Sequence, residues 1–301
     1  MDMQSVTLKS EPAQRRLMMA FAHPDDESFG PSGTIAHYVR QNVGVHYVCA
    51  TRGEAGDADP DLLKEFASLA DLRTQELMCA ANHLGLSAVH FLEYQDSGME
   101  NSPQNKNPDC LVQAPLEEVV EKITLLIRRI RPQVLVTFDP QGGYFHPDHI
   151  KMHQAASAAF AAAGDPEQFP HQLGSGLSVY QPQKLYYTAF PRTMVKWTVR
   201  MLRIMGRDPT KWGRNGDIDL LRIAAVSQKV TTKIKTAPYF GKRRLAVGCH
   251  ASQTWSNLSL RRELLNRLLL RWDKYTRVVP AFNHSGIERD LFAGVVEEVN
   301  T

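Results

Sequence analysis

The sequence predicts an α/β fold, a Rossmann-like open and mostly parallel sheet flanked by helices, with helical and strand additions at its C-terminal end. Three observations carry this. Short apolar runs alternate with helical stretches from residue 17 to 163. Two of those runs stop abruptly at polar loops, as buried strands delivering residues to a sheet edge do. The composition of the 301 residues, 43% hydrophobic and 22% charged with a formal charge of +3, is that of a globular chain and excludes fibrous, disordered and elastic classes.

The elements follow in order. LMMAFA (17–22) reads as the first buried strand and ends at His23-Pro24-Asp25-Asp26-Glu27. Gly30 to Gly33 lead into a helix over 34–42, then VGVHYVCA (43–50) is the second strand and TRGEAG (51–56) its loop. Residues 61–84 predict one long amphipathic helix, with Leu62, Phe66, Leu69, Leu72, Leu77 and Leu84 near a helical period. AVHFLEY (88–94) is the third strand. Residues 95–113, rich in Asn, Pro, Asp, Gly and Ser, are expected to form a surface loop over a site. A helix over 115–131 has Glu117 and Glu118 at its start and Arg128, Arg129 and Arg131 at its end, where the helix dipole favours them. QVLVTFD (133–139) is the fourth strand, and the polar loop 140–149 separates it from an Ala-rich helix over 150–163.

Beyond 165 the pattern loosens. KLYYTAF (184–190) is a fifth strand, and 192–205 a helix with Arg192, Lys196, Arg200 and Arg203 on one stripe and Met194, Val195, Trp197, Val199, Met201, Leu202 and Met205 elsewhere. Further helices are expected over 224–237 and over 259–274, where Leu260, Leu264, Leu265, Leu268 and Trp272 form the core stripe, and LAVGC (245–249) reads as a strand. No repeat, low-complexity tract or clean linker divides the chain. One domain over 1–301 is expected, its core about 16–163 and a C-terminal portion about 184–296 packed around the site.

Charge is uneven. Residues 1–150 hold 12 basic and 21 acidic residues, whereas 184–244 alone hold 15 basic residues against Asp208, Asp217 and Asp219. Such a segment attracts anions, whether nucleic acid, phospholipid or substrate. Nucleic acid is disfavoured because no helix-turn-helix, finger or aromatic RNA-binding pattern accompanies the charge. Peripheral membrane contact through the 192–205 helix is compatible with Lys196 and Arg200 on one face, but an ordinary cover helix explains them equally well. With neither a spanning apolar run nor a secretory signal, the expected location is the cytoplasm. Cys49, Cys79, Cys110 and Cys249 show neither disulfide-framework nor zinc-finger spacing and are expected to be small buried hydrophobes.

The chemistry gathers at two strand ends. His23, Asp25, Asp26 and Glu27 follow the first strand, and His146, Asp148 and His149 follow the fourth. Neither packing nor capping requires three histidines and three aspartates there. Imidazole and carboxylate suit a borderline cation such as zinc, for which two histidines and one aspartate suffice, leaving the remaining groups for proton transfer and for orienting the ligands. Nucleotide-binding readings lack their phosphate cradles, since neither GxGxxG nor GxxxxGK[ST] occurs.

AHPDDE (22–27) with HPDH (146–149), supported by TRGEAG (51–56), YQDSGM (94–99) and CHASQ (249–253), resembles the PIG-L or LmbE-like zinc-dependent N-deacetylases. The likeness runs from about residue 16 to 256 and looks nearest to the deacetylase and S-conjugate amidase branch of mycothiol metabolism. It implies one Zn2+ per chain, other divalent metals also being compatible, held by His23, Asp26 and His149. It implies Asp25 as the general base, His146 as the group that stabilises the oxyanion or protonates the leaving amine, and Asp148 as the residue that orients an imidazole. Arg52 is expected to contact the polar part of the substrate, with Glu54 on the same loop and Asp96 as a sugar-hydroxyl ligand; His250 and Gln253 are further substrate-side candidates.

The expected function is therefore hydrolysis of an N-acetyl group from an amino sugar or glycoconjugate by metal-activated water. The alternatives are an amidase for a larger thiol-sugar S-conjugate, and a metal-containing binding protein whose partner is an anionic lipid, a nucleic acid or another protein. Oligomeric state is open.

Overall fold

The computed structural model describes residues 3–9, 14–189, 192–213, 216, 218–226, 229–254, 270–283 and 285–296. Among them, eight strands form one sheet: β1 (Gln4–Thr7), β2 (Arg16–Phe21), β3 (Gly44–Cys49), β4 (Ala88–Phe91), β5 (Val134–Thr137), β6 (Lys184–Thr188), β7 (Thr232–Lys235) and β8 (Trp272–Val279), in the order β1-β4-β3-β2-β5-β6-β8-β7. The five inner strands from β4 to β6 are parallel, and β1, β8 and β7 add antiparallel edges. Every residue of β3, β4 and β5 is buried, which is why these strands read as continuous rather than alternating runs. β3 and β5 flank β2 on opposite sides, so the chain order reverses there. The loops leaving β2 and β5 therefore part and leave a crevice at the carboxyl edge.

The helices cover both connections. α1 (Asp26–Phe29) and α2 (Ser32–Arg40) follow β2; α3 (Pro60–Leu63) and α4 (Leu69–Leu84) join β3 to β4; α5 (Leu116–Ile130) joins β4 to β5. α6 (Gly142–Phe145) and α7 (Pro147–Ala162) follow β5, α8 (Pro170–Gly174) precedes β6, α9 (Arg192–Ile204) and α10 (Leu220–Ala225) follow it, and α11 (Phe240–Cys249) follows β7. Arg128 of α5 is buried and donates to the carbonyls of Ala162, Ala163, Asp165 and Gln168, so its charge meets the carbonyl end of α7. That anchors the far end of the helix whose first turn carries His146, Asp148 and His149.

Several expected elements differ. The helix over 61–84 is broken, because Ser68 caps a new start by accepting from the Asp71 N–H at 3.1 Å. The helix over 150–163 begins earlier, at Pro147, with His146 as its N-cap. The stretch 224–237 is not one helix: α10 stops at Ala225, and the β-branched Thr232-Lys-Ile-Lys235 pairs with β8. Of the helix expected over 259–274, residues 259–269 lie outside the described residues, and Trp272 opens β8 instead. LAVGC ends α11 rather than forming a strand, since its apolar side packs on α4 and α2. β1, with only one apolar residue in four, carried no periodic signal.

The cysteines also differ. Cys49 and Cys110 are free and buried as expected, but Cys79 of α4 and Cys249 of α11 form a disulfide, with Cα atoms 5.8 Å apart. The partners are 170 residues apart, so only the packing of α11 on α4 brings them together.

The C-terminal strands are joined through Glu288, which accepts from Lys184 Nζ at 2.7 Å, the Tyr186 hydroxyl at 2.7 Å, Thr232 Oγ1 at 2.9 Å and Arg277 Nη1 at 2.9 Å. Burial pushes the Glu288 carboxyl up, but these donors outweigh it and hold the group below its ordinary range. Glu288→Ala, which strands Lys184, should cost about 3–5 kcal/mol in urea unfolding at pH 7. A folded-state pKa below the unfolded one means that this contribution is complete above the unfolded value and is lost as pH falls through the folded one. The difference between parent and variant should therefore be flat from neutral pH down to about 5 and shrink below about 4.

Candidate active site

The loop after β2 is folded by its own backbone. Asp26 Oδ2 accepts from the N–H groups of Ala22 and His23 at 3.2 and 2.8 Å, and the Tyr47 hydroxyl donates to the His23 carbonyl at 2.8 Å. Asp25 is left at φ 124°, a conformation that an L side chain adopts only when its surroundings hold it there. Arg73 of α4 supplies part of that hold. It donates to Gly53 O at 2.8 Å, Pro24 O at 2.7 Å and Asp25 Oδ2 at 3.0 Å. Gly53 has to be glycine: its φ is +74°, and a Cβ there would sit 2.1 Å from Arg73 Nη1.

The second loop is built in the same way. Asp139 Oδ1 accepts from the N–H groups of Gln141 and Gly143, bending the chain so that the Gly142 carbonyl faces back towards α7. Pro147 starts α7, and the His146 ring caps it by accepting the Asp148 N–H at Nδ1, 3.2 Å away. The His149 ring stacks on Phe138 with centroids 3.9 Å apart and an interplanar angle of 11°.

The two loops meet at the imidazoles. His23 Nδ1 lies 3.1 Å from His149 Nε2, while Asp26 Oδ1 is 3.4 Å from His149 Nε2 and Asp26 Oδ2 is 3.7 Å from His23 Nδ1. His23 Nε2 faces Asp148 Oδ2 at 3.2 Å and Asp96 Oδ1 at 3.4 Å. His146 also presents a ring nitrogen within 4.8 Å of those of His23 and His149. His23, His146 and His149 are all buried, and Asp148 is completely so.

This set fits a cation. The Gly142 carbonyl only accepts, so the 3.1 Å contact to His149 Nδ1 places the proton there; the carboxylates at His23 Nε2 likewise favour a proton on that nitrogen. Burial lowers His23, but Asp96, Asp148 and Asp26 outweigh it and hold the imidazole well above its ordinary range. A proton on Nδ1 then meets the His149 Nε2 lone pair across 3.1 Å; a metal cation in place of that proton would meet both nitrogens. Both rings donate their outer N–H to a carboxylate or a carbonyl, as metal-ligating histidines do. Donors 3.1 to 3.7 Å apart also match the edges of a tetrahedron about 2 Å in radius, the bond length zinc makes to nitrogen and oxygen.

Electrostatics divide the acids. Burial pushes Asp25 up to about 7, with Arg73 opposing, and Asp26 up to about 6, with His23 opposing. Burial also raises Asp148, whereas Asp96 is held well below its ordinary range because His23 overcomes the burial penalty. Burial, reinforced by the charge on His23, keeps His146 and His149 well below the usual imidazole range. A carboxylate near neutrality beside two neutral imidazoles is a proton acceptor poised at working pH.

The remaining candidates take other positions. Arg52 bonds to Glu93, Thr74 and Gln4 and stacks on Phe91, so its guanidinium braces the edge of the sheet. Glu54 accepts the Asp96 N–H at 3.1 Å and thereby fixes the loop that brings Asp96 to His23. Gln253 donates to Asp57 O and Ser252 Oγ. His250 is buried and meets Glu27 at 2.7 Å, and Glu27 in turn accepts the Asp25 N–H at 3.0 Å, so His250 reaches the loop through Glu27. The arginine that touches Asp25 is Arg73. Its signal was its place, with Glu76, on the buried face of α4 beside Leu72 and Leu77. Tyr144 was also missed; its ring lies 4.9 Å from the His149 ring, centroid to centroid.

Residues 18–160 match the family model described as PIG-L, GlcNAc-PI de-N-acetylase. Over 250 residues, 80% of each chain, the sequence is 37% identical to a 1D-myo-inositol 2-acetamido-2-deoxy-alpha-D-glucopyranoside deacetylase of Thermobispora bispora. The chain belongs to the PIG-L family. A second PIG-L relative, the enzyme of the same description from Streptomyces avermitilis, is 33% identical over 93% of this chain and 97% of its own. The N,N'-diacetylchitobiose deacetylase of Pyrococcus horikoshii shares the fold at a TM-score of 0.63 and 20% identity, covering 90% of this chain and 86% of that one.

Equilibrium dialysis against Zn2+ or Co2+ tests the cation site directly. The parent should hold about one ion per chain, and His149→Ala or Asp26→Ala should weaken binding at least about 100-fold, whereas Arg52→Ala should leave it unchanged.

Proposed function

We propose that this PIG-L protein is a zinc-dependent hydrolase that removes the N-acetyl group of an amino sugar. The observation that carries the reading is the pair of inward-facing imidazole nitrogens, His23 Nδ1 and His149 Nε2, closed by Asp26 and flanked by the near-neutral Asp25. Both PIG-L relatives are named for deacetylating an N-acetylglucosaminyl inositol, which makes an acetamido sugar linked to a polyol the first substrate to test.

His23, Asp26 and His149 would hold the zinc, which when bound supplies Lewis acidity to an acyl oxygen and to water. Asp25, held at its strained φ by Arg73 and Glu27, takes a proton from the attacking water as the C–O bond forms. His146 Nδ1 is occupied by the Asp148 N–H, which leaves Nε2 to face the acyl oxygen and to donate to it as charge develops. Asp148 and Asp96 fix the His23 ring from behind. The C–N bond then breaks as the proton taken up by Asp25 is delivered to nitrogen, giving acetate and a free amine. The proposed compartment is the cytoplasm.

The test is acetate release from an N-acetylglucosaminyl inositol, compared with N,N'-diacetylchitobiose and with a thiol-sugar amide. Faster turnover of the thiol-sugar amide would replace the deacetylase with the amidase reading, and no turnover of any of them in zinc-loaded protein would reject hydrolysis. Asp25→Asn should lower kcat by about 10²–10⁴ with little change in KM, and His146→Ala by about 10²–10³. Full activity in Asp25→Asn would remove the assigned base.

A further inference from the structure

α9 has two apolar faces, of which one is packed and the other exposed among the described residues. Val195, Val199 and Leu202 are buried against Leu220 and Ile223 of α10, and Tyr144 and Phe145 of the site loop pack on the same cluster. On the other face Trp197 is 65% exposed, Met201 51% and Ile204 72%, followed by Met205 at 62% in the next turn. Steps of four and three residues set Trp197, Met201 and Ile204 on a single strip. Lys196, Arg200 and Arg203 repeat those steps one residue earlier, so a basic strip lies directly alongside. The Arg200 guanidinium sits 5.9 Å from the Trp197 ring centroid, which joins the two strips. From 193 to 211 the single acidic residue is Asp208.

We propose that the outer face of α9 is an interfacial helix that seats the protein on an anionic lipid bilayer. Large apolar side chains beside a row of cations suit the boundary between headgroups and acyl chains: the apolar strip enters it and the basic strip meets lipid phosphates. Charge complementarity selects this occupant. A second copy seated symmetrically on the same face would bring two basic strips together and almost no acid, whereas a bilayer of anionic lipid answers both strips at once. No described helix is long and apolar enough to cross a membrane, so contact through α9 would lie on the surface. Because the cluster that α9 shares with α10 also takes in Tyr144 and Phe145 of the site loop, a seated helix would turn that side of the candidate site towards the lipid.

The full chain is sedimented with vesicles of phosphatidylcholine, with and without about 30% phosphatidylglycerol, at about 100 mM salt. At least about tenfold stronger partition onto the anionic vesicles is expected, with a loss of about tenfold in W197E/M201E and in K196E/R200E and an unchanged circular dichroism spectrum in both. Partition is read without turnover, so the result stands or falls apart from the deacetylase reading. In addition, W197F should lose the vesicle-induced blue shift in tryptophan emission that the parent shows. Equal partition onto neutral vesicles, binding retained in both double variants, or a concentration-dependent dimer dissolved by W197E/M201E without any vesicle binding would each overturn the proposal.

Discussion

The arrangement depends on the parallel pairing of β2 with β5, in the register Leu17↔Val134 to Ala20↔Thr137. Two strands ending side by side deliver two loops to one place. From there, the His23 and His149 rings need only the Phe138 stack and the Gly142 carbonyl to be brought to 3.1 Å. A shift of one residue in that pairing would turn each side chain to the opposite face of the sheet and part the imidazoles. The structure that fixes α7 from its far end, above all buried Arg128, protects the same distance.

A cluster so crowded with acids would be costly without compensation. Asp25, Asp26, Asp96 and Asp148 all lie against His23 or its loop, and each pays a desolvation penalty that charge or hydrogen bonding has to offset. Arg73 offsets it at Asp25, the backbone of Ala22 and His23 at Asp26, and the Ser97 N–H at Asp148. Among the described residues, Asp148 Oδ1 is buried without a hydrogen-bond partner, as are Arg73 Nε and His250 Nδ1 beside the same loop. A divalent cation would complete the balance, so the electrostatics and the donor geometry point the same way.

Legibility followed the range of the signals. β2, β3 and β5 were readable because strands buried on both faces are written as unbroken apolar runs, and α5 because its stripe and terminal charges are local. The C-terminal third was misread where a distant partner decided the state. Thr232–Lys235 is a strand because β8 pairs with it, and LAVGC is the end of a helix, α11, that packs on α4 and α2. Arg52 and Arg73 show the same limit at the site: the loop arginine was the conspicuous one, yet its guanidinium meets Glu93, while Arg73 looked like part of an amphipathic helix and reaches Asp25.

By itself, the sequence determined the α/β class, the two histidine–aspartate clusters and their position after strand ends, because each is written in neighbouring residues. Only the tertiary structure decided that β2 and β5 are neighbours, which arginine meets Asp25, that Cys79 and Cys249 are joined, and that one apolar face of α9 is exposed among the described residues. These are contacts between residues far apart in the chain. No local pattern encodes them, because each depends on which surfaces folding leaves in contact.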